Sequence, residues 1–212
     1  MNNPFSYTIR MIAIIDYGMG NLRSVQKGFE KAGFDARIVT SAKDIKDAAG
    51  LVLPGVGAFA AATENLEKAG LIETIISQIK SGKPFLGICL GLQLLFEYSE
   101  EGRRIPGLGF YKGKVVRFTG DMKIPHMGWN QLSFRQKTAV VEGVPDMSFF
   151  YFVHSFYVAP EDESLALTVT NYGYDFVSAI ARDNVTAVQF HPEKSQKMGL
   201  RILQNFGRMT EK

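Results

Sequence analysis

The sequence predicts an α/β fold: a single domain on a central mixed, mostly parallel sheet, flanked by helices and extended by extra antiparallel strands in its second half. Up to residue 89, short β-branched runs alternate with stretches of helical period, the pattern of βαβ units. Beyond about residue 108 the pattern changes to closely spaced strands with turn signals. The chain of 212 residues, 46% of them hydrophobic, shows no internal repeat, low-complexity tract or linker, so one core serves the whole.

In order, residues 12–16 (IAIID) read as a strand, and Asn21 stands where it can cap a helix whose apolar positions Leu22, Val25, Phe29 and Ala32 share one face until Gly33 ends it. Residues 36–40 (ARIVT) form the next strand, followed by a short Asp/Lys-rich helical turn and the buried strand GLVL at 50–53. Helical segments at 58–69 and 71–81 are broken at Gly70 and Gly82, and residues 85–89 make the fourth strand. The later strands are KVVRF, WNQLSF, SFFYFVHSF, ALTVTNYG, FVSAIAR and TAVQFHP, with a hairpin at 171–174 and a closing helix over Gln196–Met209. Strand order is not readable from this pattern.

Composition narrows the function. Basic and acidic counts of 24 and 21 leave a net charge of +3, too small and too scattered to point to nucleic acid or an anionic membrane. A lone cysteine fits a reducing cytoplasm and excludes an intrachain disulfide framework. One Cys and three dispersed His show no metal-ligand spacing. No apolar run approaches the roughly 18 residues that span a bilayer, and the start, MNNPFSYTIR, lacks a secretory pattern. Residues 1–10 read as an extension of unknown role, or Met11 as the natural start, with the domain over 11–209.

Ligands of open α/β sheets bind beyond the carboxyl ends of the strands, and three ends are unusual. Asp16-Tyr17-Gly18-Met19-Gly20-Asn21 looks like a dinucleotide fingerprint but has Arg23 at its last position, and a glycine turn with an Asn cap explains it as well. Pro54-Gly55-Val56-Gly57-Ala58 has two glycines that let a ligand approach bare backbone, though an ordinary strand-to-helix turn has them too. Gly87-Ile88-Cys89-Leu90-Gly91 places cysteine where a G-x-S-x-G elbow has its serine, with small neighbours at minus two and plus two. A helix starting at Leu90 would aim its N-terminal dipole and free N–H groups at the sulfur. Free cysteine is otherwise most often a small buried hydrophobe, a reading that does not need both glycines.

A thiol nucleophile needs a base, and the histidines are His126, His154 and His191. His191 lies in Phe190-His191-Pro192-Glu193. Pro192 biases it to extended geometry, so Glu193, two residues on, points the same way and can hold the second ring nitrogen. His126 and His154 sit within strand patterns without an adjacent carboxylate and read as structural. Glu97, Glu100 and Glu101 read as the solvent-facing end of the elbow helix, Arg103-Arg104 as solvated, and 149–152 as a buried strand.

With these residues the chain resembles the class I glutamine amidotransferases over nearly all of 11–207, which implies a flavodoxin-like fold. Six stretches together, DYGMGN at 16–21, PGVG at 54–57, 87–97, PHMGWN at 125–130, YFVHS at 151–155 and 190–195, resemble the branch formed by glutaminase subunits of imidazole glycerol phosphate synthase, of histidine biosynthesis. The resemblance implies a Cys89, His191 and Glu193 triad that hydrolyses L-glutamine to glutamate and ammonia through a thioester. It implies an oxyanion site from the N–H of Leu90 and one from Gly55, Val56 or Gly57, and substrate binding by Gln93 and the backbone at Ser155 and Phe156. No cofactor is implied. The implied partner is a (βα)8-barrel cyclase that receives the ammonia and makes imidazole glycerol phosphate and AICAR, docked against Asn21, Met127, Trp129, Tyr151 and Lys194. Trp129 could instead be core, and Asn21 simply the helix cap. A glutaminase working alone would waste glutamine, so the glycine loop at 55–57 is expected to misalign until the partner is docked and occupied. The same motifs fit the glutaminase of another class I amidotransferase, a free-standing amidase or γ-glutamyl hydrolase, or an assembly subunit that has kept only the fold.

Overall fold

The computed structural model describes residues 11–211, so the extension at 1–10 lies outside the described residues. In chain order the elements are β1 (Ile12–Ile15), α1 (Leu22–Ala32), β2 (Ala36–Val39), α2 (Ala42–Asp47), β3 (Gly50–Gly55), α3 (Phe59–Lys68), α4 (Ile72–Lys80), β4 (Phe85–Cys89) and α5 (Leu90–Gln93). There follow β5 (Phe96–Ser99), β6 (Ile105–Pro106), β7 (Tyr111–Arg117), β8 (His126–Gln131), β9 (Ser133–Phe134), β10 (Phe149–His154) and β11 (Phe156–Pro160). The chain closes with β12 (Ala166–Tyr172), β13 (Tyr174–Arg182), β14 (Val185–Val188) and α6 (Gln196–Met209).

The main sheet runs β2-β1-β3-β4-β14-β13-β11-β7-β5-β6, with β12 paired to β13 and β9 paired to β12. Its first five strands are all parallel, and past β14 every neighbour on that path pairs antiparallel except β7 with β5, which is parallel. β1 is buried at every position, as a strand covered on both faces must be. Ala13 and Ile15 pack with Ile45, Leu66 and Ile75 of α2, α3 and α4. Ile12 and Ile14 pack on the other face with Phe29 of α1 and Leu203 and Phe206 of α6. The expected hairpin forms, with Tyr172 paired to Tyr174 across Gly173.

Four expectations need correction. Asn21 stands at the N-cap of α1, but its side chain makes no cap hydrogen bond. The elbow helix is a single turn, and the run that followed it in the sequence pattern becomes β5, so a macrodipole that sums over several turns is reduced here to the local N–H groups. Glu97, Glu100 and Glu101 are therefore not on that helix: Glu97 and Glu100 are exposed as expected, Glu97 on β5 accepting from the Gly113 N–H (3.1 Å), whereas Glu101 is half-buried and accepts from the Phe59 N–H at the start of α3 (2.8 Å). Finally, β10 is not fully buried. It alternates, with Phe150 and Phe152 inside and Phe149 exposed, because it pairs only with β8 in a separate two-stranded sheet.

Candidate active site

Three neighbouring strand ends build the site. β3 delivers the loop at 55–57, β4 delivers Cys89, and His191 follows β14. β4 is paired on one side to β3, with Gly55 opposite Cys89, and on the other to β14. The crevice thus lies beyond the carboxyl ends of adjacent parallel strands, where α/β sheets bind ligands.

Cys89 is 6% exposed and its backbone takes φ 55° and ψ −106°, a conformation that costs an L-residue energy and is held only by its surroundings. Both flanking glycines are required for space. A Cβ at Gly91 would lie 1.8 Å from the Leu53 carbonyl oxygen, and one at Gly87 would lie 2.8 Å from the Gly91 oxygen and 2.9 Å from Ala187.

His191 is extended, with φ −105° and ψ 94°, and its Nδ1 meets Glu193 Oε1 at 2.8 Å with both side chains almost wholly buried. Burial opposes the imidazolium, but Cys89 and Glu193 together outweigh it and push His191 up to about 10. Its other nitrogen, Nε2, is buried and makes no full hydrogen bond to any other group, which leaves the nearby Cys89 thiol as its partner for proton exchange. The main chain of His191 is clamped to β10: its N–H donates to Tyr151 O (2.9 Å), while Ser195 Oγ donates to His191 O (2.6 Å) and accepts from the Tyr151 N–H (3.0 Å).

A cavity of about 340 Å³ opens over the cysteine, lined by Val56 and Gly57, by Leu90 and Gln93, and by the 153–156 segment. Gln93 is buried; its Nε2 donates to Phe156 O (3.0 Å) and Gln189 Oε1 (3.1 Å), which leaves its own oxygen for a ligand. Glu101 is the one carboxylate among the lining residues.

Two residues escaped the sequence reading. Gln189, fully buried, donates to Cys89 Sγ (3.6 Å) and links it to Gln93; an amide inside the apolar strand TAVQF was the available signal. Glu101 was read as solvated because the helix seemed to continue to it.

His126 and His154 are structural, as expected. Phe156 O can only accept, so His154 Nδ1 carries the hydrogen (2.8 Å); His154 Nε2 then accepts from His126 Nδ1–H (2.9 Å), and His126 Nε2 from Asn130 (3.2 Å). This tautomer assignment follows from the network. Burial holds both imidazoles neutral, at about 4 for His126 and about 3 for His154.

Of the residues expected at a docking face, Met127 and Trp129 are 62% and 45% exposed. Trp129 pairs across the strands with Tyr151, their rings 6.1 Å apart, and Lys194 Nζ stands 5.8 Å from the Tyr151 ring. These four form one surface. Asn21 belongs to the turn after β1 and is exposed there.

Compared with known proteins, residues 13–209 match the family model of glutamine amidotransferase class-I, and the chain belongs to that family of enzymes. Within the family its relatives are narrower in kind. It is 54% identical over 206 residues to the imidazole glycerol phosphate synthase subunit HisH of Syntrophotalea carbinolica, covering 94% of this chain and 100% of the relative. It is 56% identical over 200 residues to the HisH subunit of Aquifex aeolicus, covering 94% and 97%. A crystal structure of a glutamine amidotransferase, 18% identical, superposes with a TM-score of 0.74 over 95% of this chain and 99% of that one, a likeness of fold. Among the described residues, no helix is long and apolar enough to cross a membrane.

Proposed function

We propose that the chain is the glutaminase subunit of imidazole glycerol phosphate synthase in histidine biosynthesis, and that it supplies ammonia to a (βα)8-barrel cyclase. The observation that carries this reading is the convergence of a strained cysteine and a carboxylate-held histidine at neighbouring strand ends, in a chain more than half identical to HisH subunits over nearly its whole length.

In this reading His191 Nε2 already holds the thiol proton, as its raised value favours, and Cys89 Sγ attacks the carboxamide carbon of glutamine. The carbonyl electrons move to oxygen, and the oxyanion is held by the N–H of Leu90 and one from the loop at 55–57. Collapse breaks the C–N bond, His191 returns the proton to the leaving nitrogen, and ammonia departs. Water then attacks the glutamyl thioester with His191 as base, releasing glutamate and the thiol. Glu193 fixes the ring and favours its protonated form. Glu101 and the free oxygen of Gln93 take the substrate's ammonium, while the backbone at Ser155 and Phe156 holds the rest of the amino acid portion. Met127, Trp129, Tyr151 and Lys194 meet the cyclase.

Glutamate release is measured with and without the cyclase and its ribonucleotide substrate, beside Cys89→Ala. The expected result is strong stimulation by the loaded cyclase and a loss of about 10³-fold or more in the variant. Activity indifferent to the cyclase would move the chain to another amidotransferase or an amidase. No activity in any state would leave Cys89 a packing residue.

A further inference from the structure

Among the described residues, four buried side-chain polar atoms have no hydrogen-bond partner, and two of them, His191 Nε2 and Glu193 Oε2, belong to the triad proposed above. A third is the hydroxyl of Tyr17, a residue 4% exposed in the turn after β1. Leaving such a donor unpaired costs stability, and phenylalanine would fill the same space without it.

The hydroxyl's position is specific. A Cβ at Gly55 would stand 2.3 Å from the Tyr17 oxygen and 2.9 Å from Leu90 Cβ. The hydroxyl therefore lies against the Gly55 Cα, in the gap between the two backbone segments assigned to the oxyanion site. The loop beyond is built to turn: Gly57 has φ +101° and Val56 is 40% exposed. Burial, and after it the charge of Cys89, raise the phenol's pKa above its ordinary value, so it stays a donor at working pH.

We propose that Tyr17 is a positioning residue for the oxyanion site: its hydroxyl donates to the Gly55 carbonyl when the peptide joining Gly55 and Val56 rotates to turn the Val56 N–H toward the nucleophile. An empty donor waiting beside a glycine hinge gives the rotated loop a hydrogen bond that the unrotated loop lacks. The absence of a side chain at Gly55 is what lets the two meet.

This inference rests on the glutaminase reading, and the test separates them. Glutamine hydrolysis by wild type and Tyr17→Phe is compared at saturating cyclase and ribonucleotide, together with the melting temperature of each isolated chain. Loss of one hydrogen bond that forms only in the working loop lowers kcat about fivefold to tenfold and leaves KM within about twofold. The melting temperature stays level or rises, because the variant removes an unpaired hydroxyl. An unchanged kcat would overturn the inference. So would a lowered melting temperature with kcat and KM shifted together, the mark of a merely structural role. A wild-type chain without glutaminase activity in any state would overturn both readings, whereas an active wild type with an equally active Tyr17→Phe would overturn this one alone.

Discussion

Cys89 holds a backbone conformation, φ 55° and ψ −106°, that costs a non-glycine residue about 1–3 kcal/mol. What holds it there is the absence of side chains on either flank. Gly91 passes so close to β3 that an added Cβ would meet the Leu53 carbonyl oxygen at 1.8 Å, and that oxygen is backbone of a strand paired on both sides. Neither partner can swing away as a flexible side chain would. Gly91→Ala is therefore expected to destabilise the chain by more than about 3 kcal/mol, read from the urea midpoint at constant m-value. A loss under about 1 kcal/mol would mean that the elbow has slack and that the glycine serves something other than close approach. The elbow was legible in the sequence because its cause is local: two glycines around one cysteine. Gln189 and Tyr17 were not, because a buried amide and a phenol acquire their meaning from neighbours on other strands.

The pair β8 and β10 is tied from within by the neutral relay from Asn130 through His126 and His154 to Phe156 O. Protonating either ring would set two N–H groups against each other. Both histidines have folded-state values lowered by burial, to about 4 and about 3, against about 6.5 in the unfolded chain. Between those limits the unfolded state binds more protons, so their contribution is complete above pH 6.5 and is lost as pH falls through the folded values. Urea midpoints measured from pH 7 down to 4.5 should fall, and the fall should be shallower in the double variant His126→Phe, His154→Leu, where both partners of the inner bond become apolar. Parallel profiles would assign the acid limb to carboxylates alone. Legibility at this scale failed at α5. LGLQLLFE has the composition of a helix, yet the carbonyls of Leu94, Leu95 and Phe96 accept from the N–H groups of Leu108, Phe110, Tyr111 and Gly109. A later segment thus captures what a second helical turn would have used, and tertiary context overrides propensity.

Sheet order is what turns scattered motifs into a site. β14 lies between β4 and β13, so Val188 stands beside Ile88, and His191 comes to Cys89 from a hundred positions along the chain. No periodicity announces such a pairing, which explains why the α/β class was readable and the strand order was not. The same long-range layout sets β8 and β10 apart from the main sheet and leaves Met127 and Trp129 outside, with His191 fastened through its backbone to Tyr151 on that sheet. Trp129 is the only tryptophan of the chain and 45% exposed, so its fluorescence reports directly on whether this face is covered. If the face docks as proposed above, adding the barrel cyclase shifts emission to the blue and reduces quenching by acrylamide, saturating at the same concentration that saturates stimulation of glutamate release. Trp129→Ala should weaken docking at least about tenfold, as expected of an aromatic anchor near the centre of an interface, while the melting temperature stays within about 2 °C and kcat recovers at high cyclase concentration, because an exposed ring contributes little to the fold. Stimulation without any change in Trp129 emission would put the docking surface elsewhere and reduce the link through Tyr151 to a structural tie.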